Sequence, residues 1–150
     1  MNSPICTTAF WHFSCDLYAL SGVQDALLYA QHQDAKNVNI LLLLRYLETL
    51  HIQLDQQQLD SLKQCTLEFD RLFLAPHRLI RANFKATYSL HPTYSTVRKS
   101  LLNSELLLEK LQQTLLIQQL EQTKLQTNPM ANNLALYTDS LTLIALLRQS

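Results

Sequence analysis

Val38-Asn-Ile-Leu-Leu-Leu-Leu-Arg-Tyr-Leu-Glu-Thr-Leu50 is the stretch on which the fold turns. Wound as a helix, it is apolar nearly all round, and such a helix is at home only in the centre of a core. Its longest aliphatic run, Ile40 to Leu44, is far shorter than the roughly 20 residues that span a bilayer, so the reading is a buried helix of a soluble protein. The composition points the same way. Thirty-four of the 150 residues are Leu and one is Gly. Leu is among the better helix formers, while hairpins and bulges draw on Gly, so local propensity argues against a sheet.

Outward from that helix, Asp55 is placed to cap a helix carrying Leu59, Leu62, Leu67, Leu72 and Phe73, which Pro76 either kinks or restarts. From Pro76 to about Tyr88, Leu79, Ile80 and Phe84 share one face, while Arg78, Arg81 and Lys85 share another. A break at Ser89 to Thr93 precedes a helix from about Tyr94 to Gln126, with Val97, Leu101, Leu108, Leu111, Leu115 and Leu125 as its apolar seam. At 1.5 Å per residue it would reach about 50 Å. Asn128-Pro129 stops it, and a last helix is expected from about Ala131 to Arg148. On the other side, Thr7 or Thr8 can cap a helix bearing Phe10, Phe13, Leu17 and Leu20 that ends at Ser21-Gly22. A second helix, Val23 to Gln33, follows. The expectation is an all-α, single-domain bundle of six to seven helices over residues 1–150 with one long helix in its C-terminal half. Residues 1–7 are expected as a flexible N-terminus, and 127–150 as a C-terminal helix after a break.

The net charge is zero, but it is segregated: residues 1 to 70 hold eight acids and three bases, whereas residues 71 to 99 hold six bases and no acid. Cys6, Cys15 and Cys65 are odd in number and lack CxxC spacing, which suits reduced thiols in the cytoplasm. No basic segment followed by an apolar stretch opens the chain, so no secretory signal is read.

Glycine-rich phosphate loops are excluded by the single Gly. Glu48-x-x-His51 has the spacing of a di-iron half-site, but its second copy is missing, so no metal is expected and Glu48 is read as pairing with Arg45 or facing water. His12 and Asp16, beside Ser14 and Cys15 on one helix, lack the oxyanion site that nucleophilic catalysis needs. No catalytic residue and no cofactor is assigned. Gln56-Gln57-Gln58, Gln112-Gln113 and Gln118-Gln119 read as neutral solvated faces. The basic stripe of Arg78, Arg81 and Lys85 is the most distinctive candidate. It could hold an anion or an acidic partner, or pair internally with Glu105 and Glu109. Nucleic acid is disfavoured, since six bases are few for a binder of neutral pI. Arg45, in the most apolar helix, must be paired or reach the surface.

Phe10-Trp-His-Phe-Ser-Cys-Asp-Leu-Tyr18 with Gly22-Val23, then Val38-Asn39 before the leucine run, and Ile52-Gln-Leu-Asp55, resemble a family of small helical bacterial (proteobacterial) proteins, a domain of unknown function. Pro76, Arg78, Leu79, Arg81 and Lys85 resemble its basic segment, and Glu105-x-x-x-Glu109-Lys110 its charged long helix. The resemblance covers about residues 9 to 120 and implies a cytosolic, helical, bacterial protein, with no activity attached. His51, in place of Gly, and Arg45-Tyr46, in place of an apolar residue and Trp, depart from its pattern.

Two functional readings lead, with a nucleic-acid-binding accessory protein as a third. The first is a non-enzymatic interaction or regulatory module, engaging a protein partner or a second copy of itself through exposed helical faces. The second is a ligand-binding protein or enzyme with a polar pocket built from Trp11, Tyr18, Asn39, Arg45 and Arg81. No membrane association is expected.

Overall fold

A computed structural model describes residues 5–149. The chain is all-α. The helices are α1 (Thr7–Tyr18), α2 (Val23–Gln33), α3 (Val38–Thr49), α4 (Gln56–Phe69), a π-helical segment (Asp70–Leu74), α5 (Ala75–Tyr88), α6 (Tyr94–Glu121), α7 (Leu134–Tyr137) and α8 (Leu141–Leu147). Two short strands, β1 (Ile52–Gln53) and β2 (Gln126–Thr127), pair antiparallel.

The core forms around α3, whose Ile40, Leu41, Leu43, Leu44 and Leu47 have no exposed surface. Each such side chain contributes about 1.5–3 kcal/mol when fully buried. Asn37 starts α3 by accepting from the Ile40 N–H. Helices α1, α2, α6 and α7 pack on α3. Their Phe10, Leu17, Leu27, Leu116, Leu120 and Leu134 join the same apolar cluster. Asp55 caps α4 as expected, in a reciprocal capping box with Gln58. At the start of α1 neither threonine caps; Cys6 takes that position without a side-chain bond. Ile5 is buried, so the segment expected to be flexible already enters the core at that residue. The rest of that expectation, residues 1–4, lies outside the described residues.

Two expected boundaries move. Helix α6 ends at Glu121, giving 28 residues and about 42 Å. The chain then turns so that Gln126–Thr127 can pair with β1. The last helix is broken in two because Thr138 is extended and Ser140 caps α8 at the Leu143 N–H. Asn133, fully buried, ties the start of α7 to the α3–α4 connection. Its Oδ1 accepts from the Leu54 N–H at 2.7 Å, and its Nδ2 donates to the Ile52 carbonyl at 2.8 Å.

The largest departure lies at Pro76. Proline has no N–H for the i−4 carbonyl, and its ring crowds that carbonyl. The preceding turn widens accordingly, with the Ala75 N–H donating to the Asp70 carbonyl five residues back. A π turn holds one extra residue, which rotates everything beyond it by about 100°. In α4 the buried positions are Leu59, Leu62, Thr66 and Phe69. An unbroken α-helix would continue them through Phe73 and Ile80. The inserted residue turns Leu74, Arg78 and Arg81 inward in their place, and Phe73, Leu79 and Ile80 are left 50%, 60% and 56% exposed. No residue of α5 is buried. The face that Leu79 and Ile80 share is the one turned to solvent.

Helix α6 is turned in a similar way. Of the seam expected on it, Val97, Leu101, Leu108, Leu111, Leu115 and Leu125, none is fully buried. The buried positions are Glu105, Gln112 and Gln113, and then Leu116, Ile117 and Leu120.

Candidate functional site

Helices α1, α2, α3 and α6, the α2–α3 connection, the π segment and the start of α5 surround a cavity of about 320 Å³. Trp11 and Tyr18 from α1, Leu28 from α2, and Val38 and Leu42 from α3 supply the apolar wall, with Leu106 from α6. The opposite wall is polar, and its amides run in one direction because a carboxylate stands at one end. Asp70 only accepts, so Gln112 presents its Nε2 to Asp70 Oδ1 at 2.8 Å and Asn37 its Nδ2 to Asp70 Oδ2 at 2.8 Å. Gln112 must then turn its oxygen to Asn39 Nδ2, at 3.0 Å. Asn39 in turn offers Oδ1 to Gln113 Nε2, at 3.0 Å. That Nε2 also donates to Ser14 Oγ at 3.0 Å, and the Ser14 hydroxyl donates to the Phe10 carbonyl. The ladder ends on Gln113 Oε1, a buried acceptor that no donor among the described residues reaches.

Beside the ladder lies an ion cluster. Arg78 donates through Nε to Glu105 Oε1 at 3.1 Å and through Nη2 to Glu109 Oε1 at 3.3 Å, while Arg81 Nε donates to Glu105 Oε2 at 2.8 Å. Glu105 is almost fully buried and satisfied by two guanidinium groups. Burial pushes the Glu109 carboxyl above its ordinary value, the Arg78 guanidinium opposing and Glu105 reinforcing the rise. Burial likewise raises the Tyr18 phenol, helped by the charge of Glu109. Lys110 stands over the Trp11 ring at 5.3 Å and Lys36 over the Tyr137 ring at 4.7 Å.

Trp11, Tyr18 and Asn39 of the expected pocket come together here, with Arg78 and Glu109 of the basic stripe and its charge partners. Arg45 does not belong to it. Its Nε donates to the Leu147 carbonyl at 3.1 Å, and its Nη1 lies 3.5 Å from Glu48. Arg81 is not among the lining residues and is held by Glu105. Arg78 and Arg81 thus pair internally, the structural one of the alternatives the sequence left open, whereas Lys85 is exposed. Gln112 and Gln113 are each 1% exposed, which corrects their reading as a solvated face. Glu48 is no water-facing carboxylate either. It is a buried hub that accepts from the Asn133 and Leu134 N–H groups and from Arg148 Nε and Nη2, all between 2.7 and 3.0 Å.

Sequence reasoning missed Asp70, Asn37, Gln112, Gln113 and Ser14. Asp70 falls one turn beyond the buried Thr66, so the register of α4 carries it toward Asn37. The described residues hold no group of three or more His, Cys, Asp or Glu side chains that could bind a metal. None of the described helices is long and apolar enough to cross a membrane.

Searches of curated proteins and of solved structures return no match. A family described as "Protein of unknown function (DUF2390)" matches residues 9–116, from the first turn of α1 to the buried half of α6. The match takes in every residue that lines the cavity, and the chain belongs to this family.

Proposed function

We propose that the protein is a non-enzymatic, bacterial, cytoplasmic interaction module that docks a partner protein on the outer face of α5. The observation behind this reading is the inverted seating of that helix. Its arginines face α6, and its apolar stripe of Leu72, Phe73, Pro76, Leu79 and Ile80, begun in the π segment, faces solvent. An apolar helix face left in water gains free energy when another apolar surface covers it, and exposed patches of this kind mark interfaces. The free cysteines Cys6, Cys15 and Cys65 are in keeping with a reducing compartment.

The exposed bases of α5 and α6 set the partner's charge. Of the six bases between residues 71 and 99, Arg71 pairs with Glu68, and Arg78 and Arg81 with Glu105 and Glu109. Lys85, Arg98 and Lys99 are exposed, and no ion pair is found for them among the described residues. The partner is therefore a protein segment with an apolar face and an acidic border. Nucleic acid is disfavoured because two arginines of the stripe are already neutralised within the fold.

The test is a photo-crosslinking residue placed at Ile80, with Gln57 on α4 as control, in the native cell. The expected result is an adduct at Ile80 alone, to a polypeptide with an acidic amphipathic segment. Its purified form should lose affinity in Leu79→Asp and in Lys85→Glu/Arg98→Glu variants. An adduct of the chain with itself would make the occupant a second copy, and no adduct above the Gln57 control would overturn the reading.

A further inference from the structure

We propose that the cavity against α1 is a binding site for an uncharged, flat, amino-bearing heteroaromatic compound about the size of a nucleobase. The inference is independent of the partner face on α5.

Size comes first. A volume of about 320 Å³ equals about ten waters at ~30 Å³ each, room for one or two fused rings. Shape and polarity follow from the walls: Trp11 and Tyr18 present rings, and Leu28 and Leu106 present aliphatic surface, opposite a polar wall. Aromatic side chains pack best against flat partners. Charge follows from what is already paired. Asp70 accepts from two amides, Arg78 lies between two carboxylates, and Lys36 sits on the Tyr137 ring. An ionic ligand would have to draw Asp70, Glu109 or Lys36 out of these contacts to gain a counter-ion, and burying it unpaired is costly.

The donor requirement comes from the ladder. Because Asp70 orients every amide, the chain of bonds cannot be reversed to satisfy its far end, and Gln113 Oε1 lacks a donor. A buried acceptor without a partner carries a penalty of about 1–3 kcal/mol. Gln113 borders the cavity, and the proposed ligand presents an N–H to its unpartnered Oε1. The Glu109 carboxyl is a second acceptor on that wall. A ligand with an exocyclic amine and a ring N–H answers both.

Trp11 is the chain's single tryptophan, so its fluorescence reports binding without a label. Titration of the full chain with adenine and with cytosine should give saturable quenching. Toluene, which has no N–H, and adenosine monophosphate and benzylamine, which are charged, should bind at least about tenfold more weakly. Gln113→Met, which keeps the shape and removes the acceptor, should weaken adenine or cytosine about tenfold, the equivalent of one neutral hydrogen bond. If that variant does not fold, Leu28→Phe, which reduces the cavity from its apolar wall, serves in its place and should abolish quenching. The proposal is overturned by the absence of saturation with both bases up to millimolar concentration. Equal or tighter binding of a charged probe, or unchanged affinity in the variant that folds, overturns it as well.

Discussion

Helices α3 and α5 are of nearly equal length, 12 and 14 residues, and both mix leucine with arginine, yet they end at opposite extremes of burial. In α3 nine residues are buried; in α5 none is. Apolar content separates them in part, and the rotation of the two-faced α5 does the rest. Helix α3 is apolar on nearly every face, so no rotation about its axis could expose it. Helix α5 has one apolar face, and a single inserted residue in the turn before it decides where that face points.

The comparison can be broken most forcefully from the side of α3. Leu43→Ala should lower stability by about 2–5 kcal/mol in chemical denaturation, because a fully enclosed leucine leaves a cavity that its neighbours only partly fill. Close behind is Glu48→Gln, which unpairs Arg148 and weakens the tie between α3 and the start of α7. A cost of about 2–3 kcal/mol is expected, since the carboxylate is buried and engages several donors. A smaller effect would mean that α7 and α8 are held by apolar packing alone.

At the junction between the two regions, Asp70→Asn tests the direction of the amide ladder. The new amide can no longer accept from both Asn37 and Gln112, so stability should fall by about 1–2 kcal/mol. The side-chain amide resonances of Asn39 and Gln113 should broaden as the ladder loses its single orientation. Sharp, unshifted resonances would show that Asp70 does not set that orientation.

Glu109→Gln sharpens the contrast through pH. Burial holds the Glu109 carboxyl above its ordinary value of 4.5, so the folded chain binds that proton more tightly than the unfolded chain does. Its contribution to stability therefore grows as pH falls through the raised value toward 4.5, and is level below it. The amide should leave stability at neutral pH unchanged or slightly higher, and should remove that part of the pH dependence. An unaltered melting profile between neutral pH and about 4.5 would place Glu109 in water.

The smallest effect belongs to α5. The double variant Leu79→Ser/Ile80→Ser should change stability by less than about 0.5 kcal/mol per site, because both side chains already lie in solvent. A large loss would mean that the π segment does not turn this face outward. Set against Leu43→Ala, the pair of measurements tests the inversion directly.

The order of the helices, the central place of Val38 to Leu50, the Asp55 cap and the long α6 were legible because each rests on local propensity or periodicity. The candidate site was legible only in part. Trp11, Tyr18 and Asn39 were found as polar or aromatic residues on predicted helices, and Arg78, Glu105 and Glu109 as interrupting charges. Asp70, Gln112 and Gln113 were not, because a glutamine on a helical pattern looks solvated until its neighbours are known. Arg45 was misplaced for the same reason: its partners, the Leu147 carbonyl and the Glu48 hub, come from the far end of the chain and from a carboxylate whose burial only the fold reveals.

By itself, the sequence determined an all-helical chain built on one nearly all-apolar helix, with six bases and no acid between residues 71 and 99. Hydrophobic periodicity and backbone propensity act over a few neighbouring residues, and they suffice for that. The tertiary structure alone decided which face of α5 and α6 turns inward. That choice weighs the π turn before Pro76, the pairing of Arg78 and Arg81 with Glu105, and the amide ladder anchored on Asp70 against the burial of Leu79 and Ile80. Those interactions join residues that are distant in the chain, and their balance exists only once the helices have packed.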